Sequence, residues 1–171
     1  RRLEQRHFAA FYDAAMMTMV ATPAAGQPTL MTFAQEAIEN RLREVLESWE
    51  AALQPEQSEG FHRQRIRVKK LKYALEPFIT LLPPEVAPVY EQIAELQELM
   101  GLVHDCDVQQ QVLTLWIGQH GTATVFRAAT QRIAVQRQKA LEKLATLLGE
   151  MEQNKWADRL RELLQIALIP P

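Results

Sequence analysis

The sequence predicts an all-α protein, an antiparallel helical bundle. Three observations carry this. Apolar residues recur three and four positions apart across most of the chain, Val, Ile and aromatic residues rarely alternate with polar ones, and Pro or Gly closes most of the periodic stretches. At 171 residues, 47% hydrophobic and 23% charged, the chain is long enough to bury a core and has ordinary globular composition. No sheet is expected.

A first helix is expected from Leu3 to Val20, ending before the linker that Pro23, Gly26 and Pro28 mark. A second should run from Thr32 to Leu53, with Ile38, Leu42, Val45, Leu46, Trp49 and Leu53 on one face and Pro55 closing it. The third, His62 to Phe78, ends before Pro83-Pro84 and turns Val68, Leu71, Leu75 and Phe78 inward. The next opens at Pro84 and runs to Met100, burying Ile93, Leu96, Leu99 and Met100, and Gly101 is expected to break it. A fifth then starts near Asp105, as cap or buttress, with Cys106 in the core, and stops at Gly118 to Gly121. A long amphipathic sixth covers Thr122 to Gly149, and Asn154 or Asp158 starts a short terminal helix.

Charge narrows the function classes. The net charge is only −2, so any anion site must come from local clustering of Lys and Arg. That clustering lies on the third helix, where Phe61 to Leu75 hold six Lys or Arg residues and one His, with no acidic residue before Glu76. At about 100° per residue, His62, Arg65, Lys69 and Lys72 share a sector of roughly 80°, away from the core face, over about 15 Å of axis. A row of like charges repels itself, and phosphate oxygens accept guanidinium forks and ammonium donors well. On composition alone the row equally reads as solvated surface, or as one neutralised by Glu39, Glu44 or Glu95.

Other chemistry is weakly signalled. Cys106 is the single cysteine, which excludes an internal disulfide and a Cys-based zinc site. Within His104-Asp105-Cys106-Asp107, adjacent helical residues diverge by about 100°, so no metal site is expected there. No HExxH, P-loop or Gly-x-Ser-x-Gly occurs, and neither catalytic residues nor a cofactor are expected. The apolar stretches are too short to span a membrane, and a cytoplasmic protein is expected.

His62, Arg65, Ile66, Lys69, Lys70, Lys72, Tyr73, Ala74, Leu75 and Glu76 resemble the His-x-x-Arg-Ile-x-x-Lys-(Lys/Arg)-x-(Arg/Lys)-Tyr-Ala-Leu-Glu helix of the CHAD family, the conserved histidine α-helical domains. Leu96 to Val108 is similar to the family's Leu-Gln-x-x-Leu-Gly-x-x-(Asn/His)-Asp-x-x-Val, with Met100 in place of the usual Leu. The resemblance implies a four-helix-bundle repeat over residues 29–171, preceded in residues 1–22 by the last helix of an incomplete first half. It also implies that His62, Arg65, Lys69, Lys70, Lys72 and Tyr73, with Arg41 on the preceding helix, bind inorganic polyphosphate or another phosphate-rich polyanion without catalysis.

Family members pair two His-helices around a channel, whereas this chain carries one, and a homodimer would supply the second surface. Arg132, Arg137, Lys139 and Lys143 are weaker candidates, carried by charge alone. Lacking interleaved aromatic platforms, the stripe favours a base-free polyanion over nucleic acid. Localisation at polyphosphate granules is implied by the resemblance alone. The alternatives are a helical interaction protein with an acidic partner, favoured by an apolar patch beside the stripe, and an accessory domain of a phosphate-processing enzyme, favoured by carboxylates beside it.

Overall fold

A computed structural model describes residues 29–52, 54, 58–120 and 123–166. The expected helix Leu3 to Val20 lies outside them, as does Leu53. The described residues form an all-α bundle of α1 (Leu30–Leu46), α2 (Trp49–Ala52), α3 (Ser58–Leu75), α4 (Val86–His120), α5 (Ala123–Gln153) and α6 (Trp156–Ile166). A 3₁₀ turn, Glu76–Phe78, extends α3.

Thr29 caps α1: its Oγ1 accepts from the Thr32 amide at 3.2 Å, so the helix starts two residues before the expected Thr32. Its face Ala34, Ile38, Leu42 and Val45 is buried and joins one core cluster with Val68, Leu71, Leu75 and Phe78 of α3 and its 3₁₀ extension, and with Ile93, Leu96, Leu99 and Met100 of α4. Each Val, Leu, Ile, Phe or Met side chain among them contributes about 1.5–3 kcal/mol through lost water contact, and Ala34 less.

The single second helix expected from the sequence is interrupted at Glu47-Ser48. The cause lies on α3. Gln64 donates from Nε2 to the Val45 carbonyl at 3.0 Å, and Arg67 donates from Nη1 to the Glu44 carbonyl at 3.0 Å and to Ser48 Oγ. The last carbonyls of α1 are satisfied by side chains, which stabilises its end there.

The break expected at Gly101 is absent. α4 is one helix, Asp105 is an exposed mid-helix residue and caps nothing, and only the burial of Cys106 matches the expectation. Glycine inside a helix costs about 1 kcal/mol. Burial of Leu99, Met100, Val103 and Cys106 around Gly101 outweighs it. A Cβ built at Gly101 meets nothing within 4 Å. Gly101→Ala is therefore expected to stabilise the protein by about 0.5–1 kcal/mol in chemical denaturation, with an unchanged m-value.

α6 closes the bundle. Arg161 holds Glu39 of α1 with two parallel bonds, Nε to Oε2 at 3.1 Å and Nη2 to Oε1 at 3.0 Å. Trp156 packs on Trp49, ring centroids 5.3 Å apart, and Trp49 Nε1 donates to Glu152 at 3.0 Å. At the other end α4 and α5 project as an arm in which no described residue from 107 to 139 is buried. No helix among the described residues is long and apolar enough to cross a membrane.

Candidate polyanion-binding site

The antiparallel α3–α4 hairpin builds the site. His62 and His104 lie 21 residues on either side of Pro83, and their rings face each other with centroids 5.0 Å apart and planes tilted by 47°. Arg65 lies close enough to His104 to act on its charge. At the other end Tyr90 lies near Glu76 and Tyr73; burial first, and then these two groups, raise the pKa of its phenol. The stripe is thus one wall of a two-helix surface, with α4 as the second wall.

His62, Arg65, Lys69 and Lys72 are all half-buried, whereas Lys70 is exposed and turned about 100° from Lys69. Among the described residues, none of these five forms an ion pair. Two carboxylates that the sequence offered as neutralising partners are engaged elsewhere, Glu39 with Arg161 and Glu44 with Arg41 at 2.7 Å. Arg65 Nε is buried and has no hydrogen-bond partner, a costly condition for a guanidinium nitrogen. The remaining two cations of the helix are used structurally: Arg63 pairs with Glu59, and Arg67 caps α1.

Tyr73 takes the Lys69 and Lys72 ammonium groups over its ring, 5.5 and 5.4 Å from the centroid. That engagement fixes the two lysines more than it offers a free stacking face. Tyr73 also borders a depression lined by Phe33, Arg41, Ala74, Pro77 and Phe78. Arg41 therefore borders the Tyr73 end of the stripe from α1 and is ion-paired with Glu44.

Sequence reasoning missed His104. It reads residues 104–107 as one diverging tetrad, and the convergence is between helices. Burial first, then Arg65 and His62, lower the His104 pKa, while Asp105 and Asp107 oppose the shift. Arg137 of α5 holds Asp107 through Nε–Oδ1 at 2.6 Å. Cys106 points into the core, and burial, helped by Asp107 and Asp105, raises its thiol pKa, so it is an unreactive packing residue. Among the described residues no group of three or more His, Cys, Asp or Glu side chains is placed to hold a metal ion.

Beyond the site, α4 carries the exposed apolar residues Val108, Val112, Leu115 and Trp116. Trp116 stacks on His120 at 4.1 Å and meets the edge of Phe126 of α5 at 5.4 Å.

The family model of the CHAD domain matches residues 1–114, two thirds of the chain. The chain belongs to the CHAD family. The matched CHAD stretch contains the whole α3–α4 site and ends within α4, so α5 and α6 lie beyond it. No curated relative and no solved structure matches this CHAD chain significantly.

Proposed function

We propose that this protein binds inorganic polyphosphate, without catalysis, along the α3–α4 surface. The observation that supports this best is a row of half-buried cations with no carboxylate partner among the described residues, one of which keeps a buried, unpartnered guanidinium nitrogen. In such a row the ligand supplies the missing counter-charge. Each phosphate of the polymer adds a charge and several acceptor oxygens, and binding releases condensed counterions from the polymer. His62, Arg65, Lys69 and Lys72 make the primary row; Lys70 and Arg41 flank it. Location in the cytoplasm at polyphosphate deposits, and pairing of two copies to enlarge the row, belong to the same proposal.

The three fixed cations Arg65, Lys69 and Lys72 predict a log–log salt slope of about −2, so affinity should fall roughly 20-fold between 50 and 200 mM salt. Titration of long-chain polyphosphate by fluorescence anisotropy competition, with single-stranded DNA of equal charge as comparator, measures it. Preferential binding of polyphosphate with that slope supports the proposal. Equal binding of both polymers, or none at 50 mM salt, overturns it.

A second reading is favoured by the exposed Val108, Val112, Leu115 and Trp116, which continue from His104 along α4. In that reading the cations and the apolar row together receive an acidic partner protein. Polyphosphate would then bind no better than any polyanion of similar charge.

A further inference from the structure

We infer that His104 of α4 completes, with His62 and Arg65 of α3, a phosphate subsite that takes up a proton when a phosphate group enters it. This rests on the polyphosphate reading and adds to it a second wall and a proton. The two imidazoles face each other at 5.0 Å, and Arg65 Nε is buried without an acceptor. Gly101 precedes His104 by three residues on α4, and a Cβ there would meet nothing within 4 Å, so space is open on the α4 wall beside the two imidazoles. Donors from two helices around an open space suit a tetrahedral oxyanion, which offers acceptor oxygens in several directions.

The charged and titratable groups around His104 set the proton balance. From α3 come His62 and Arg65; on α4 itself are Asp105 and Asp107; from α5 comes Arg137, which holds Asp107. With the subsite empty, burial first, then the Arg65 guanidinium and the facing His62, favour the neutral imidazole of His104. A neutral ring has one N–H and one lone pair, so one of its nitrogens would oppose a phosphate oxygen. An entering phosphate reverses the balance. Its charge outweighs the repulsion from Arg65 and His62, a proton moves from solvent to the lone-pair nitrogen, and both ring nitrogens become donors. No covalent bond changes.

The test is an NMR titration of the imidazole Cε1–H signals of the full chain, free and saturated with tripolyphosphate. It is paired with calorimetry of tripolyphosphate binding to the parent and to His104→Gln from pH 6 to pH 8. Saturation is expected to raise the midpoint of the His104 signal by at least one pH unit. For a one-unit rise the affinity ratio of parent to His104→Gln should then increase about three- to fivefold as pH falls from 8 to 6. The ratio cancels the titration of the ligand itself.

An unmoved His104 midpoint, or parallel pH profiles, overturns the subsite and leaves the polyphosphate reading standing. No tripolyphosphate or long-chain binding at any pH overturns both. The signal in the parent chain requires no variant, so misfolding of His104→Gln cannot rescue the inference.

Discussion

Alanine at both Arg65 and Lys69 is expected to lower polyphosphate affinity about 100-fold at low salt. Neither cation has a carboxylate partner among the described residues, so in the ligand-free protein little is lost on truncation and the effect falls on binding. A hydrogen bond to a charged group is worth roughly 1.5–3 kcal/mol, and half-buried side chains belong at the lower end of that range. Two contacts then sum to about 3 kcal/mol, or roughly two decades in Kd. Removing two of the three fixed cations should also flatten the salt slope by about 1.5. A second signature is structural. The double variant relieves like-charge repulsion within α3 and removes the buried, unpartnered Arg65 Nε, so its thermal midpoint should equal or exceed the parent's. Loss of binding together with a lower midpoint would instead mark the stripe as part of the scaffold.

Gln64→Ala is expected to cost about 3 kcal/mol of stability, the largest effect predicted for a polar residue here. Gln64 is the single fully buried polar side chain among the described residues, and it donates to the Val45 carbonyl at 3.0 Å while accepting from Ser48 Oγ. Truncation removes both bonds, at about 0.5–1.5 kcal/mol each, while the Val45 carbonyl keeps the Ser48 amide at 3.3 Å, and it opens a void that adds roughly 1 kcal/mol more. In a chain of this size that lowers Tm by roughly 6–12 °C in a thermal scan. Gln64→Leu restores the volume and loses only the hydrogen bonds, so it should fall between parent and Gln64→Ala. Equal loss in the two variants would assign the whole effect to the bonds. Because the same contacts terminate α1, exchange protection of the Glu47 and Ser48 amides should fall with stability.

Much of the bundle is legible in one-dimensional spacing. The inward faces Ile38-Leu42-Val45, Val68-Leu71-Leu75 and Ile93-Leu96-Met100 are all buried as their periodicity requires. The interruption at Glu47-Ser48 is not legible, because the groups that satisfy the ending carbonyls are Gln64 and Arg67, on the next long helix. The continuity of α4 through Gly101 is hidden for the opposite reason: a local cost of about 1 kcal/mol is visible in sequence, and the burial that outweighs it is not. His104 was within reach. Once two helices are joined by a short proline turn, residues equidistant from the turn oppose each other, and His62 and His104 satisfy that about Pro83. A reading confined to one helix at a time overlooks it.

The exposed arm gives the molecule a polarity that its net charge of −2 conceals. Between Asp107 and Glu142 the sequence has no acidic residue and carries Arg127, Arg132, Arg137 and Lys139, while Glu85, Glu91, Glu95 and Glu98 gather at the opposite end of α4. Two charge centres separated along a helix about 50 Å long make a large dipole moment. A polyanion approaching within a Debye length, about 8 Å at physiological salt, meets a torque before it meets a contact. It would meet the His62–His104 end of the row first, because Lys69 and Lys72, held on the Tyr73 ring near Tyr90, lie toward the glutamate end. Encounters with a polyanion would thereby be sorted by orientation on a protein whose net charge is small.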